Sequence, residues 1–345
     1  MKTIESLSEM KLLFQHIFDR NEQSLEDYGK TFESQLKTYL VESTGASRDV
    51  LSKLTSWNRL DTPNWYAASM AEYQNRLFAD VSEDGVFRIF SLLDAGSSDA
   101  IVKNWIESTR GLDYCWLTKS QLFAWTNKEN WLQKGIGLRF EDGLAKEEDA
   151  GNFSLKAWHG ANTVIPGLAD VISRAQELFA VSSVRWTKRV ENKTIVTAEA
   201  YNNGKITINS ASDVDEVLNF SLAAAERYRH SLQIARDARN DTIAPFELEF
   251  TQKVNADAFS ETVSSGKAPM KLWLIEIERS DDFRTYRGID MHTWDRVLLD
   301  IGPDYAYLSI PGDGCVNAAP RLATIQGEDN SGLTRIFHNG EEMFV

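Results

Sequence analysis

The stretch SVRWTKRVENKTIVTAEAYNNGKITINSAS, residues 183–212, decides the fold class. Its first and second parts, Ser183–Val190 and Thr194–Tyr201, alternate β-branched or aromatic residues with polar ones, the period-2 signature of strands. Glu191-Asn-Lys193 reads as a tight turn between them. Asn202-Asn-Gly204 is a stronger hairpin signal, because asparagine and glycine accept positive φ. Lys205–Asn209 alternates again as a third strand. Ser212 then opens a long helix whose first turn carries Asp213, Asp215 and Glu216, acids that the helix macrodipole favours. On the other side, Val164–Ala180 has helical spacing, with Pro166 tolerated in the first turn. The order over residues 151–240 is therefore α-β-β-β-α, and the fold class is α+β.

Outward from this unit the pattern changes twice. Residues 4–41 place Ile4, Leu7, Leu13, Phe14, Ile17, Phe18 and then Leu25, Tyr28, Phe32, Leu36, Tyr39, Leu40 at spacings of three and four, which predicts helix. A second helix is expected over Trp65–Ala79, opened by Pro63 with Thr62 as its cap. Residues 1–80 thus read as a helical region. Residues 81–150 read as a small α/β layer, with strands at Val86–Leu93, Tyr114–Leu117 and Ile136–Phe140 and a helix at Ser98–Glu107. The polar segment Glu141–Asn152 is the expected domain boundary. Residues 241–345 read as a β-rich sandwich or barrel, with strands at Phe246–Val254, Leu272–Arg279, Asp295–Ile301, Tyr305–Ile310 and Arg335–Val345.

Composition bounds what such a chain does. The 345 residues carry 37 Lys and Arg against 51 Asp and Glu, a net charge of −14. An acidic chain is a poor general ligand for phosphate backbones and anionic membranes. No apolar run reaches the roughly 18 residues a membrane helix needs, and the N-terminus lacks the apolar core of a signal peptide. Two cysteines, Cys115 and Cys315, make no disulfide framework and fit a reducing compartment. The expected setting is the cytoplasm.

The motifs of common chemistries are missing. No G-x-x-x-x-G-K-[ST], G-x-G-x-x-G or G-x-S-x-G run occurs, so phosphate cradles and nucleophile elbows are absent. No catalytic residue is assigned. None of the five histidines pairs with another at helical spacing, and neither a metal nor an organic cofactor is assigned. Asp290-Met-His292-Thr-Trp-Asp295 reads as a polar loop entering a strand, and Cys315 as a half-buried cysteine after the Pro311–Gly314 turn. Glu191-Asn-Lys193 matches the E-x-K of some nucleases but sits in a turn. Arg287 and His292 match an R-x4-H spacing but not its helical context.

Three short likenesses stand beside this reading. Leu155-Lys-Ala-Trp-His-Gly160 resembles the histidine–glycine strand of poly-ADP-ribosyl transferases, which implies a nicotinamide-ribose contact for His159; the tyrosine and glutamate motifs of that family do not follow. Glu276-Ile-Glu278 resembles the E-x-E of other ADP-ribosyl transferases. Residues 164–239 are similar in element order to double-stranded-RNA-binding domains, but carboxylates stand where that family aims lysines at phosphates.

One local feature departs from the acidic background. Arg185, Lys188, Arg189 and Lys193 fall within nine residues around Trp186, and Arg229 and Arg236 lie seven apart on the following helix. Together they form the candidate binding set, for nucleic acid or for an acidic protein. The leading expectation is a non-enzymatic subunit or adaptor of a multi-protein assembly, with a protein partner or a second copy of the chain. Nucleic-acid binding through the 185–239 set is the alternative, and an ADP-ribosyl-transferase-like or nuclease activity a more remote one.

Overall fold

The structure is a computed structural model and describes residues 3–26, 28, 35–44, 48–125, 128, 130–141, 152–158, 180–251, 253–264, 266, 268–330 and 334–345. The helix expected at 164–180, the loop expected at 141–152 and His159 lie almost wholly outside them. Among the described residues, helices and strands mix in two antiparallel sheets, so the α+β class holds. No described helix is long and apolar enough to cross a membrane.

The chain forms two compact units that interleave along the sequence rather than following one another. Unit 1 comprises residues 1–115, 124–133 and 185–229, and unit 2 comprises 116–123, 134–184 and 230–345. The units therefore cut across the four consecutive regions read from the sequence.

Unit 1 opens with α1 (Leu7–Phe18), which Ser6 caps by accepting a hydrogen bond from the Glu9 amide, and the short α2 (Glu22–Glu26). The expected helix over 4–41 then ends. Its last apolar cluster, Leu36–Tyr39–Leu40, belongs to strand β1 (Leu36–Ser43), in which every residue is buried. The second expected helix is likewise a strand pair. Trp65–Ala68 is β3 and Leu77–Asp80 is β4, joined to the edge strand β2 (Trp57–Arg59). The expected strand at 86 is β5 (Val86–Ser91), and the helix expected at Ser98–Glu107 is α3 (Ala95–Ser108), which starts three residues earlier and is capped by Asp94. β5 lies along one edge of β1. The other edge is shared by β11 (Lys205–Ala211), opposite Leu36–Tyr39, and β6 (Leu112–Tyr114), opposite Val41–Ser43. β10 (Lys193–Tyr201) and the 185–190 end of β9 (Ala180–Val190) continue the sheet. The turn residues Glu191 and Asn192 have φ of 48° and 64°, the left-handed geometry expected of a tight hairpin. At the next hairpin a Cβ on Gly204 would lie 2.9 Å from the carbonyl oxygens of both Leu40 and Cys115, so only glycine fits.

Both faces of this sheet are covered. On one face Phe14 of α1 packs edge-on against Phe78, and Trp65 stacks on Phe90, with ring centroids 5.4 and 5.6 Å apart. Arg88 lies buried among them. Its Nε donates to Asp80 Oδ2 at 2.9 Å, and its Nη1 donates to the Leu218 carbonyl and Ser221 Oγ at 2.9 and 3.0 Å on the long helix α5 (Val214–Asp241). On the other face Tyr39 donates to Ser98 and Asp99 at the start of α3, and Lys205 pairs with Asp99 at 2.6 Å.

Unit 2 holds the short helix α4 (Lys119–Leu122) and, from Lys134 onward, β7 (Trp131–Glu141), paired with β8 (Asn152–Trp158). It also holds a seven-stranded sheet in the order β13-β14-β15-β16-β12-β17-β18. These strands are β12 (Phe246–Phe250), β13 (Leu272–Arg279), β14 (Arg284–Asp290), β15 (Asp295–Ile301), β16 (Tyr305–Ser309), β17 (Thr334–His338) and β18 (Glu341–Glu342). Two helices that the sequence reading missed, α6 (Ala256–Ser264) and α7 (Ala318–Asn330), also belong here. The β-rich expectation for 241–345 therefore holds, as one open sheet with helices rather than a sandwich or barrel.

Candidate interaction surfaces

The basic hairpin does not assemble into one patch. Alternation along β9 puts Arg185 and Arg189 on one face of the strand and Trp186 and Lys188 on the other. Trp186 is fully buried, its ring 6.2 Å from Trp125, so it has no free face on which a base could stack. Lys188 pairs with Glu216 at 2.6 Å and sits over the Trp131 ring. Arg189 donates through Nη2 to the Asn192 carbonyl, tying the turn. Lys193 is exposed. On α5, Arg229 faces Glu83 at 3.5 Å, and Arg236 donates to Gln233 one turn earlier. Lys188, Arg189 and Arg229 are thus committed to carboxylates or backbone within the fold.

The local likenesses meet similar limits. Leu155 and Trp158, within the histidine–glycine resemblance, are 40% and 54% exposed. A β-bulge separates Glu276 from Glu278. The Glu276 carboxylate accepts from Arg279 at 2.7 and 2.9 Å and from the Tyr286 hydroxyl at 3.2 Å; the Arg279 guanidinium holds its carboxyl below the usual range. Those contacts make Glu276 a structural partner.

A different surface emerges from unit 2. In β13 the even residues Leu272 and Leu274 are buried, while Trp273, Ile275 and Ile277 are 52%, 59% and 59% exposed. The register carries this outer face across the sheet. Trp273 stands opposite Ile289, and Ile275 opposite Arg287; Ile289 then stands opposite Arg296, and Arg287 opposite Leu298. Tyr305 and Tyr307 of β16 follow, their rings 4.9 Å apart. Trp294, exposed in the β14–β15 turn at φ 71°, stands at the end of the same strands. An apolar band set with two exposed arginines results, and neither arginine makes an ion pair among the described residues.

β13 is also the edge of its sheet. The Met291 amide bonds the Lys271 carbonyl at 2.7 Å, so the odd residues of β13 turn their amides toward β14. The backbone of Leu272 and Leu274 faces outward. Gly266 donates to the Leu272 carbonyl at 2.9 Å, and beyond it no described strand covers the edge. Gly288 holds β14 against this strand, since a Cβ there would meet the Trp273 carbonyl oxygen at 2.0 Å. Natural edge strands are commonly blunted by charged side chains, proline or a bulge; here the bulge and the charges of Glu276, Glu278 and Arg279 lie in the second half of the strand, while Leu272–Ile275 carries neither charge nor proline. The alternation Leu-Trp-Leu-Ile was the available sequence signal. It identified the strand, but not that its outward residues are as apolar as its inward ones.

Comparison with known proteins gives a family and no activity. A family model described as MJECL33-like protein matches residues 1–327. The uncharacterized protein MJECL33 of Methanocaldococcus jannaschii is 25% identical over 151 residues, 41% of this chain and 36% of that protein. The alignment therefore spans about a third of the relative's length. No solved structure matches. With the family model covering nearly the whole sequence, the chain belongs to the MJECL33-like protein family.

Proposed function

We propose that this protein is a component of a multi-protein assembly and acts through protein–protein contacts, with the outer face and free edge of the unit 2 sheet as its docking surface. The observation that carries the reading is the exposure of Trp273, Ile275, Ile277 and Leu298 as one band. Full burial of such side chains is worth about 1.5–3 kcal/mol each, and folding of this chain alone realises roughly half of that. Contiguous apolar surface on a soluble domain marks an interaction site. The unpaired edge of β13 supplies main-chain donors and acceptors for an added strand. Arg287 and Arg296 within the band favour a partner segment that carries carboxylates among its apolar residues.

Direct nucleic-acid binding is less well supported, because Trp186 is buried and Lys188 is paired. Co-purification from the source cells distinguishes the two. The wild-type chain is expected to retain a defined protein partner that Ile275→Glu loses at unchanged melting temperature, while Lys193→Glu keeps it. Equal recovery by wild type and Ile275→Glu would overturn the docking role. Nuclease-sensitive recovery lost only in Lys193→Glu would favour the nucleic-acid reading.

A further inference from the structure

Unit 2 buries two chemically active side chains against each other. His292 follows β14 and is fully buried; Cys315 lies 23 residues further on and is 4% exposed. A ring nitrogen of His292 and Cys315 Sγ lie within 4.8 Å. From the sequence His292 is expected in a polar loop and Cys315 half-buried after a turn; in the structure both are buried.

The surroundings fix each residue. Asp290 is buried, accepts from the His292 amide at 2.9 Å and pairs with the buried Arg321 at 2.7 Å. This clamps the turn that presents the imidazole. Cys315 lies just before α7, and its carbonyl accepts from the Ala318 amide at 3.2 Å. The Arg239 guanidinium donates to the carbonyl of Gly314, the preceding residue. A Cβ on Gly314 would lie 2.6 Å from Ile310, so the chain entering Cys315 is tightly packed.

We propose that Cys315 and His292 form a binding site for one thiophilic metal ion of the zinc class. Thiolate sulfur and imidazole nitrogen are the preferred zinc donors, at about 2.3 Å and about 2.0–2.1 Å. Tetrahedral coordination by both puts the donor atoms roughly 3.5–4 Å apart, within the separation the structure allows. Two protein donors leave further coordination positions for oxygen donors. The site is independent of the docking surface and does not rest on that reading.

Cobalt(II) titration of the reduced full-length protein tests the site, because a cobalt–thiolate bond adds a charge-transfer band that oxygen and nitrogen ligands do not. Expected is a band saturating at one equivalent and displaced by zinc. The chain's two cysteines supply the control. Cys115→Ser should keep the band and Cys315→Ser should lose it. His292→Ala should weaken apparent affinity by about tenfold or more, since one lost ligand removes at least the about 1.4 kcal/mol that a decade represents. Absence of a band in the wild-type protein overturns the proposal, and so does a band lost in Cys115→Ser but kept in Cys315→Ser. The wild-type result decides even if a substituted chain fails to fold.

Discussion

Strands β1 and β13 are the same length and sit in sheets of the same antiparallel type, yet they differ in exposure. All eight residues of β1 are buried, including Lys37 and Glu42, whereas β13 alternates buried and exposed residues and ends fully exposed. α3 lies on one face of β1, and α1 and α5 lie on the other face of its sheet. β13 lies at a sheet edge with one face open. A strand covered on both sides is committed to its own fold. A strand open on one side, with Trp273 and Ile275 outward, has capacity left for a partner. The contrast yields substitutions whose effects should differ sharply between the two regions.

The largest effect is expected inside unit 1. Arg88→Ala leaves the Asp80 carboxylate buried and unpaired, and removal of one partner of a buried ion pair costs about 3–5 kcal/mol. Chemical unfolding should show a loss of that size; a loss below about 1 kcal/mol would mean that water reaches the Asp80 site. Adjacent residues of β13 then separate the two faces of unit 2. Leu274→Ala should cost about 2–5 kcal/mol as a buried truncation. Ile275→Thr should stay within about 0.5 kcal/mol, as for exposed sites, while weakening partner capture. Equal losses would show that the outer face is packed in the free protein.

Smaller effects sharpen the picture of the covered sheet. Gly204→Ala should cost about 1–3 kcal/mol, because its φ of 77° and the two carbonyl oxygens at 2.9 Å both oppose a Cβ. Gly340→Ala, at φ 83° with open space around it, should cost less. Tyr39→Phe should cost about 1 kcal/mol for its lost hydrogen bonds. Burial, and next the Asp99 carboxylate, push the Tyr39 phenol up; burial does the same for Tyr114 beside Glu107 and Tyr201 beside Glu199. Unfolded tyrosines ionise near pH 10, while these three stay protonated in the fold. Their contribution is therefore full below about pH 10 and falls as pH rises above it. Spectrophotometric titration should show these phenols ionising only as the chain unfolds; reversible ionisation near pH 10 in the folded protein would contradict their burial.

The same contrast explains what the sequence made legible. β13 and β15 alternate in burial or carry β-branched residues between turn signals, and their ranges coincide with those read from the sequence. In β1 the residues LKTYLV satisfy a three-and-four spacing as well as a period of two. A fully covered strand lacks the polar face that would separate the two readings. The preceding helix α1 then extended the pattern by proximity. Trp65–Ala79 failed for a related reason, since Trp65, Ala67 and Leu77 line a sheet core whose connecting turn, centred on Asn75 at φ 59°, carries no glycine. The basic cluster around Trp186 was legible as composition only. Which cations pair, and that the tryptophan faces Trp125, depends on contacts with α5 and with residues near 125 and 131. The proximity of His292 and Cys315, on segments separated by two strands, left no local signal.

Hydrogen–deuterium exchange across β13, in the free chain and in the purified complex, tests the docking role most directly. The Leu274 amide faces the open edge and should exchange rapidly in the free protein. Partner binding is expected to slow exchange over residues 272–279 by at least about tenfold, as an added strand supplies acceptors, while β1 stays protected in both states. Unchanged exchange over 272–279 in a saturated complex would contradict the assignment of this edge and face as the docking surface.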